Sequence, residues 1–273
     1  MTIGERVDGH MLTITLDRPE SLNALTQPMM RRLAALLASA ATDPDVHAVL
    51  LRGAGRAFCA GGDRKRSREP DPADPLAARW GDDPAWQSPE MHFDRLRANV
   101  LSVELLHSMP KPTVAMIRGP AIGAGFGLAA ACDFRIASET ASFRAGFLAA
   151  GYSGDFGLAY SLVRLLGAAK ARELILLDRT ISAGEAEALG LITALVPDAE
   201  LDTQAEAFAS RFVGGPRIAF RCAKSNIQAA ETLALAAALD VETTNMVRTS
   251  ASADAAEARA AFAEGRAPIF TAR

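Results

Sequence analysis

One stretch constrains this chain more than any other: Gly119-Pro-Ala-Ile-Gly-Ala-Gly-Phe-Gly-Leu-Ala-Ala-Ala-Cys-Asp133. Residues 113–118, set off by Pro110 and Pro112, read as a short buried strand, and residues 134–137 read as another. Between them Gly119, Gly123, Gly125 and Gly127 lead into an Ala/Leu run that fits only a tightly packed helix. A Gly-rich strand-to-helix turn leaves backbone N–H groups free at a positive helix end, where an anion or a developing oxyanion can sit. Small residues also let a ligand approach the main chain. The alternative is purely steric, a helix wedged between two strands with small side chains because nothing larger fits. The spacing departs from the dinucleotide fingerprint Gly-x-Gly-x-x-Gly, whose third glycine would fall at Leu128.

The 273 residues allow one large domain or two, with a sizeable core. A formal charge of −3 shows no basic bias toward nucleic acid. Cys59, Cys132 and Cys222 lie in apolar settings without pairing or metal-ligand spacing. That suits buried thiols in a reducing compartment, and a cytoplasmic protein is expected. No basic-then-apolar leader pattern is evident and no apolar run reaches bilayer length, so no membrane partner is expected. His10, His47, His92 and His107 are scattered; all four read as surface or structural residues, and no metal site is expected.

Residues 3–7 and 11–16 read as strands around a turn at Asp8-Gly9. Thr26 is a plausible N-cap for a helix to about residue 41, with Leu33, Leu36, Leu37 and Ala40 as its apolar stripe. Residues 46–51 form a strand that runs into a second Gly-rich loop, Arg52-Gly-Ala-Gly-Arg-Ala-Phe-Cys-Ala-Gly-Gly-Asp63. Residues 64–89 read as an irregular surface stretch with one short helix, whose Trp80 and Trp86 either line a mouth or pin the loop. Residues 92–108 read as one amphipathic helix with Phe93, Leu96, Val100, Val103 and Leu106 inward. A helix opened by Gly154-Asp-Phe-Gly157 stops at Gly167; a second follows, and Ser182-Ala-Gly-Glu185 is a capping box for a third. From residue 198 the pattern is helical. Strands alternating with helices, then helices alone, predict an α/β fold with a parallel-sheet core over 1–197 and a helical region over 198–273. The last helices are Ala-rich with few bulky apolar residues, which points to burial against another subunit.

Asn23-Ala-Leu25, Phe58-Cys-Ala-Gly-Gly-Asp63, Pro110-Lys-Pro112, residues 119–133 and residues 186–196 occur in that order, and together they resemble the crotonase (enoyl-CoA hydratase/isomerase) superfamily. The resemblance implies a spiral of ββα units and a helical trimerisation region, hence a homo-oligomer, either a trimer or a dimer of trimers. It implies an acyl-CoA thioester as substrate, with CoA arriving as part of that substrate and no separate cofactor. Matched by motif position, the backbone N–H groups of Ala60 and Ala124 would form an oxyanion hole, each donor worth about 3 kcal/mol to a developing enolate. Gly61, Gly62, Asp63, Ala24 and Arg18 match a region that contacts substrate or CoA in the family. A solvated surface arginine is the alternative for Arg18.

The chain departs from the family at the two glutamates that hydratases use: Gly127 stands at one position and Phe147 at the other. Water addition that needs one group to activate water and another to protonate carbon has lost both in their usual places. The replacements imply a wider, drier pocket. One carboxylate remains in Gly151-Tyr-Ser-Gly-Asp155, where some isomerases and aryl-CoA dehalogenases of the family carry an acid. Asp155 is either the acid/base or a simple helix N-cap. Arg144 and Tyr152 nearby read as surface or structural. Double-bond isomerisation or a related proton shift is the favoured activity, with hydration, thioester hydrolysis or aryl-CoA displacement, and non-catalytic acyl-CoA binding as rivals.

Overall fold

A hairpin anchors the main sheet. In the computed structural model, which describes residues 2–63 and 75–272, β1 (Ile3–Asp8) and β2 (Met11–Leu16) pair antiparallel from Ile3↔Leu16 to Asp8↔Met11. The turn is centred on Gly9 and His10, with φ of 50° and 71°. That is one residue beyond Asp8-Gly9, because the tight hairpin turn needs two left-handed residues in succession. Down the chain follow α1 (Gln27–Thr42), β3 (Ala48–Gly53), α2 (Pro75–Trp80), α3 (Pro89–Asn99), α4 (Leu101–Ser108), β4 (Thr113–Ile117), β5 (Pro120–Ile122) and α5 (Ala124–Ala131). Next come β6 (Phe134–Ser138), β7 (Ser142–Arg144), α6 (Leu158–Leu176), β8 (Ile181–Ser182), α7 (Ala183–Ala188) and β9 (Ala194–Val196). The chain closes with α8 (Leu201–Val213), α9 (Arg217–Thr232), α10 (Leu235–Ser250) and α11 (Ala253–Glu264).

The main sheet has the order β1-β2-β3-β4-β6-β9 and is parallel from β2 onward. Strands buried on both faces read as continuous apolar runs, as Ala48-Val-Leu-Leu51 does. One face packs Ile14, Val49, Leu51 and Ile117 against Leu33 and Leu37 of α1, Leu106 of α4 and Phe126 of α5. The other packs Met11, Leu50, Val114 and Met116 against Leu201, Ala205 and Ala209 of α8. The expected division at 197/198 therefore separates α8 from the sheet it covers. Of the helices that follow, α9 is tied back by Lys224, whose Nζ reaches Asp133 Oδ2 at 2.6 Å and Lys111 O at 3.1 Å. A second small sheet, β5-β7-β8, stands beside the first.

Thr26 caps α1 as expected, accepting the Met29 N–H, and the whole expected stripe is buried. The single helix expected over 92–108 is two. It breaks at Val100, where the buried Asn99 donates Nδ2 to Gln27 Oε1 at 2.6 Å and Ser102 Oγ donates to Asn99 O at 3.2 Å. Phe93, expected inward, is 66% exposed, because α3 turns a different face inward from the one its apolar residues suggest. Gly167, at φ 78° and ψ 158°, divides α6 into the two expected helical segments. Of the irregular stretch, residues 64–74 lie outside the described residues; the short helix beyond them is α2.

Candidate active site

The two Gly-rich loops lie side by side. Cys59 N–H donates to Pro120 O at 3.0 Å and Ile122 N–H returns to Cys59 O at 2.9 Å. So close an approach requires Gly125, where a Cβ would fall 2.4 Å from Cys59 O. On the first loop, Ala60 N–H donates to Leu22 O at 2.9 Å and Asp63 N–H to Leu25 O at 2.9 Å, while Leu25 N–H donates to Gly61 O at 2.8 Å. Gly61 N–H faces Cys59 Sγ at 3.4 Å. These bonds leave Gly62 N–H without an acceptor among the described residues. On the second loop, Gly123 N–H is taken by Arg144 O at 3.0 Å, whereas Ala124 N–H, at the start of α5, has no acceptor among the described residues. The loops meet there: a Cβ on Gly61 would lie 3.7 Å from Ala124 N. Ala60, expected as the first donor, thus spends its N–H on Leu22 O, whereas the Gly62 and Ala124 N–H groups have no acceptor among the described residues.

Both donors border a cavity of about 550 Å³. Leu25, Met30, Leu96, Phe147 and Phe156 supply apolar wall, and Asp155 faces the same space. Asp155 is not a helix cap: Gly157 holds that place, and no side chain caps the helix. Instead it sits in a turn of unusual backbone, between Gly154 at φ 113° and Phe156 at φ 50°, with Gly157 at φ 63°. A left-handed, buried phenylalanine is strained, and such strain persists only where the surroundings enforce it. Asp155 Oδ1 is buried without a hydrogen-bond partner among the described residues. Burial pushes its pKa above the ordinary carboxylate range.

Phe147 lines the cavity, but Gly127 does not. A Cβ on Gly127 would fall 2.4 Å from Phe156 O and 2.8 Å from Phe156 Cβ. The space expected to widen the pocket is therefore filled by the backbone of the Asp155 turn. Arg18 is also placed differently from expectation. Its side chain is 11% exposed and donates to Ala24 O at 2.7 Å and to Asp63 Oδ2 at 3.0 Å. Together with Asn23, whose Nδ2 holds Ala54 O and Ala57 O, it braces the first Gly-rich loop from behind. Gly61 and Asp63 line the cavity; Ala24 does not. Trp86 lines it with the Arg95 guanidinium 4.2 Å above its ring, while Trp80 is exposed at 43%. Tyr152 and Ser153 lie on the rim.

Sequence reasoning passed over His92 and Asn99, which line the cavity from α3, and Gln27, which faces them. Residues 92, 95, 96 and 99 share one helical face, so the signal was a stripe of mixed polarity rather than an apolar one. Asp178 was also missed. Burial pushes its carboxyl up, but hydrogen bonds from Arg144, Gly146 and Ala149 hold it below its ordinary value. Among the described residues no three His, Cys, Asp or Glu side chains converge as a metal site. Burial pushes the Cys59 thiol up to about 12, which leaves it inert beneath the first loop.

A family model described as enoyl-CoA hydratase/isomerase matches residues 6–273. The chain belongs to the enoyl-CoA hydratase/isomerase, or crotonase, family. Its similarity to a probable enoyl-CoA hydratase of Mycobacterium tuberculosis is 34% identity over 95% of this chain and 94% of that protein. A 1,2-epoxyphenylacetyl-CoA isomerase of Escherichia coli is 34% identical over 98% of this chain and 97% of its own length. Among solved structures, a putative enoyl-CoA hydratase of Streptomyces coelicolor superposes with a TM-score of 0.88 at 34% identity, covering 100% of this chain and 95% of that one. The crotonase fold read from the motifs is therefore the fold observed, and the chain is an enzyme of hydratase/isomerase type.

Proposed function

We propose that this crotonase-family enzyme isomerises the double bond of an acyl-CoA thioester, with Gly62 and Ala124 as the oxyanion hole and Asp155 as the lone acid/base. The observation that carries this reading is the buried, unpartnered Asp155 oxygen on the same cavity as two unclaimed backbone N–H groups. An unsatisfied buried polar atom costs stability, so its retention points to a partner supplied by substrate. The thioester carbonyl oxygen lies between the two N–H groups. The Asp155 carboxylate takes a proton from the carbon next to the thioester of a β,γ-unsaturated acyl group. The electron pair moves onto the carbonyl oxygen, where the two donors hold the enolate. The Asp155 carboxyl then returns its proton to the γ carbon, and the double bond ends in conjugation with the thioester. One carboxylate with a raised pKa can act in both directions, whereas water addition asks for a second group, and neither Gly127 nor Phe147 supplies one.

The test is incubation in heavy water with straight-chain, branched and aromatic acyl-CoAs, read by mass spectrometry. Deuterium uptake beside the thioester with a moved double bond, both lost in Asp155→Asn, supports the reading. Net water addition would make it a hydratase, and release of free CoA would make Asp155 a nucleophile. Binding without exchange would make the protein non-catalytic. The enzyme works as a homo-oligomer in this reading, because Ile227, Leu235, Met246 and Phe262 expose large apolar surface on the last three helices. A monomer by light scattering would refute that part.

A further inference from the structure

We propose that Asp178, which lies outside the cavity, is the positioning residue that holds the donor loop and the acid/base loop in register. The inference rests on the roles given above to Ala124 and Asp155. Asp178 follows the end of α6 with φ of 48° and a side chain only 9% exposed. Its Oδ1 accepts Gly146 N–H at 2.5 Å and Arg144 Nε at 3.3 Å. Its Oδ2 accepts Arg144 Nη2 at 3.1 Å and Ala149 N–H at 3.2 Å, and its own carbonyl accepts Arg144 Nε at 2.9 Å. One carboxylate thus grips both ends of the turn over residues 144–149.

Two lines run from that turn to the reacting groups. Arg144 O accepts Gly123 N–H, which sets the peptide leading into the Ala124 donor. The Phe147 ring, carried by the same turn, packs between the residues that precede the donor and the acid. A Cβ on Gly123 would lie 3.6 Å from Phe147 Cζ, and one on Gly154 would lie 3.6 Å from Phe147 Cδ2. Phe147 O also accepts the Ala150 and Tyr152 N–H groups, closing the turn toward Asp155. The choice of residue is not explained by the backbone, since glycine adopts the left-handed region with less strain than aspartate. What aspartate adds at that position is the carboxylate.

Two variants test this. Asp178→Gly suits the backbone and deletes the clamp; Asp178→Asn keeps the shape and turns an N–H₂ group toward the donors. Both are expected to fold. Isomerisation should fall about 10- to 100-fold in kcat, with KM for acyl-CoA within about threefold, because small misplacement of reacting groups costs turnover more than binding. Amide hydrogen exchange should speed at least about tenfold at Gly123, Gly146 and Ala149 while β2 and β3 stay protected. Unchanged exchange at Gly123, or wild-type kcat in both variants, overturns the proposal. Asp155→Asn run alongside separates the two ideas. If it too keeps wild-type turnover, the acid/base reading fails, and exchange at Gly123 still decides whether Asp178 holds the loop.

Discussion

Gly127→Ala is the smallest change that tests whether the space beside Gly127 is empty or filled. The added Cβ would meet Phe156 O at 2.4 Å, Phe156 Cβ at 2.8 Å and Phe156 C at 3.2 Å. Ordinary contact begins near about 3.5 Å, so the overlap is about 1 Å, and against a backbone atom that cannot rotate away. Phe156 is 2% exposed and already left-handed, so it has little room to yield. Overpacking of this kind costs about 1–3 kcal/mol, and the rigid neighbour places it at about 3. At 2–4 °C per kcal/mol for a chain of this size, the midpoint should fall by roughly 6–12 °C. Relief by moving Phe156 displaces Asp155, its neighbour in sequence, and a shift of about 1 Å there should lower turnover about 100-fold. Gly184→Ala is the control, because a Cβ in that α7 position meets nothing within 4 Å; it should stabilise by about 0.5–1 kcal/mol. Urea denaturation and deuterium incorporation from heavy water measure both effects. A Gly127→Ala protein within 0.5 kcal/mol of wild type, with full turnover, would refute the claim that the Asp155 turn occupies this site.

Asp155→Asn should abolish turnover yet raise stability at neutral pH by about 0.5–1 kcal/mol, allowing for the screening of a half-buried group. The folded pKa lies above the unfolded one, so the wild-type carboxylate subtracts stability as pH rises from the ordinary carboxylate range through its raised value. The stability gap between variant and wild type should therefore close on acidification; a gap independent of pH would contradict the burial argument. The acid limb of kcat/KM should likewise fall above the ordinary carboxylate range, since the base must be ionised to take the first proton; a limb at the usual carboxylate value would exclude Asp155 as that base. Arg18→Ala should cost roughly 3 kcal/mol in the free enzyme, because it leaves Asp63 and the Ala24 carbonyl without their buried cation. A loss confined to CoA affinity, with unchanged melting, would return Arg18 to a phosphate-binding role.

The parallel sheet was legible because its strands are short apolar runs between Gly, Pro and Asp punctuation, and because glycines mark where two loops must touch. Asp155 was legible as the one carboxylate in Gly151-Tyr-Ser-Gly-Asp155, and the structure places it on the cavity. What sequence could not supply was the hydrogen-bond ledger. Ala60 and Gly62 are two residues apart in a loop of small residues, and nothing in their chemistry says which N–H is free. That follows from contacts with distant residues: Leu22, whose carbonyl takes the Ala60 N–H, and Leu25, which pairs with the chain on either side of Gly62. Arg18 misled for a related reason: a guanidinium suits a phosphate and an internal carboxylate equally well, and only burial separates them. The α3 face was hidden by its composition. Its cavity stripe of His92, Arg95, Leu96 and Asn99 has helical spacing, but it is mostly polar, so apolar periodicity picks out Leu96 with the exposed Phe93 and passes over the other three. A motif therefore locates the chemistry to within a loop, while the choice of atom belongs to contacts from distant segments. Gly127 carries the same lesson in reverse: an absent side chain reads as empty space, yet here its absence is what admits the backbone that presents Asp155.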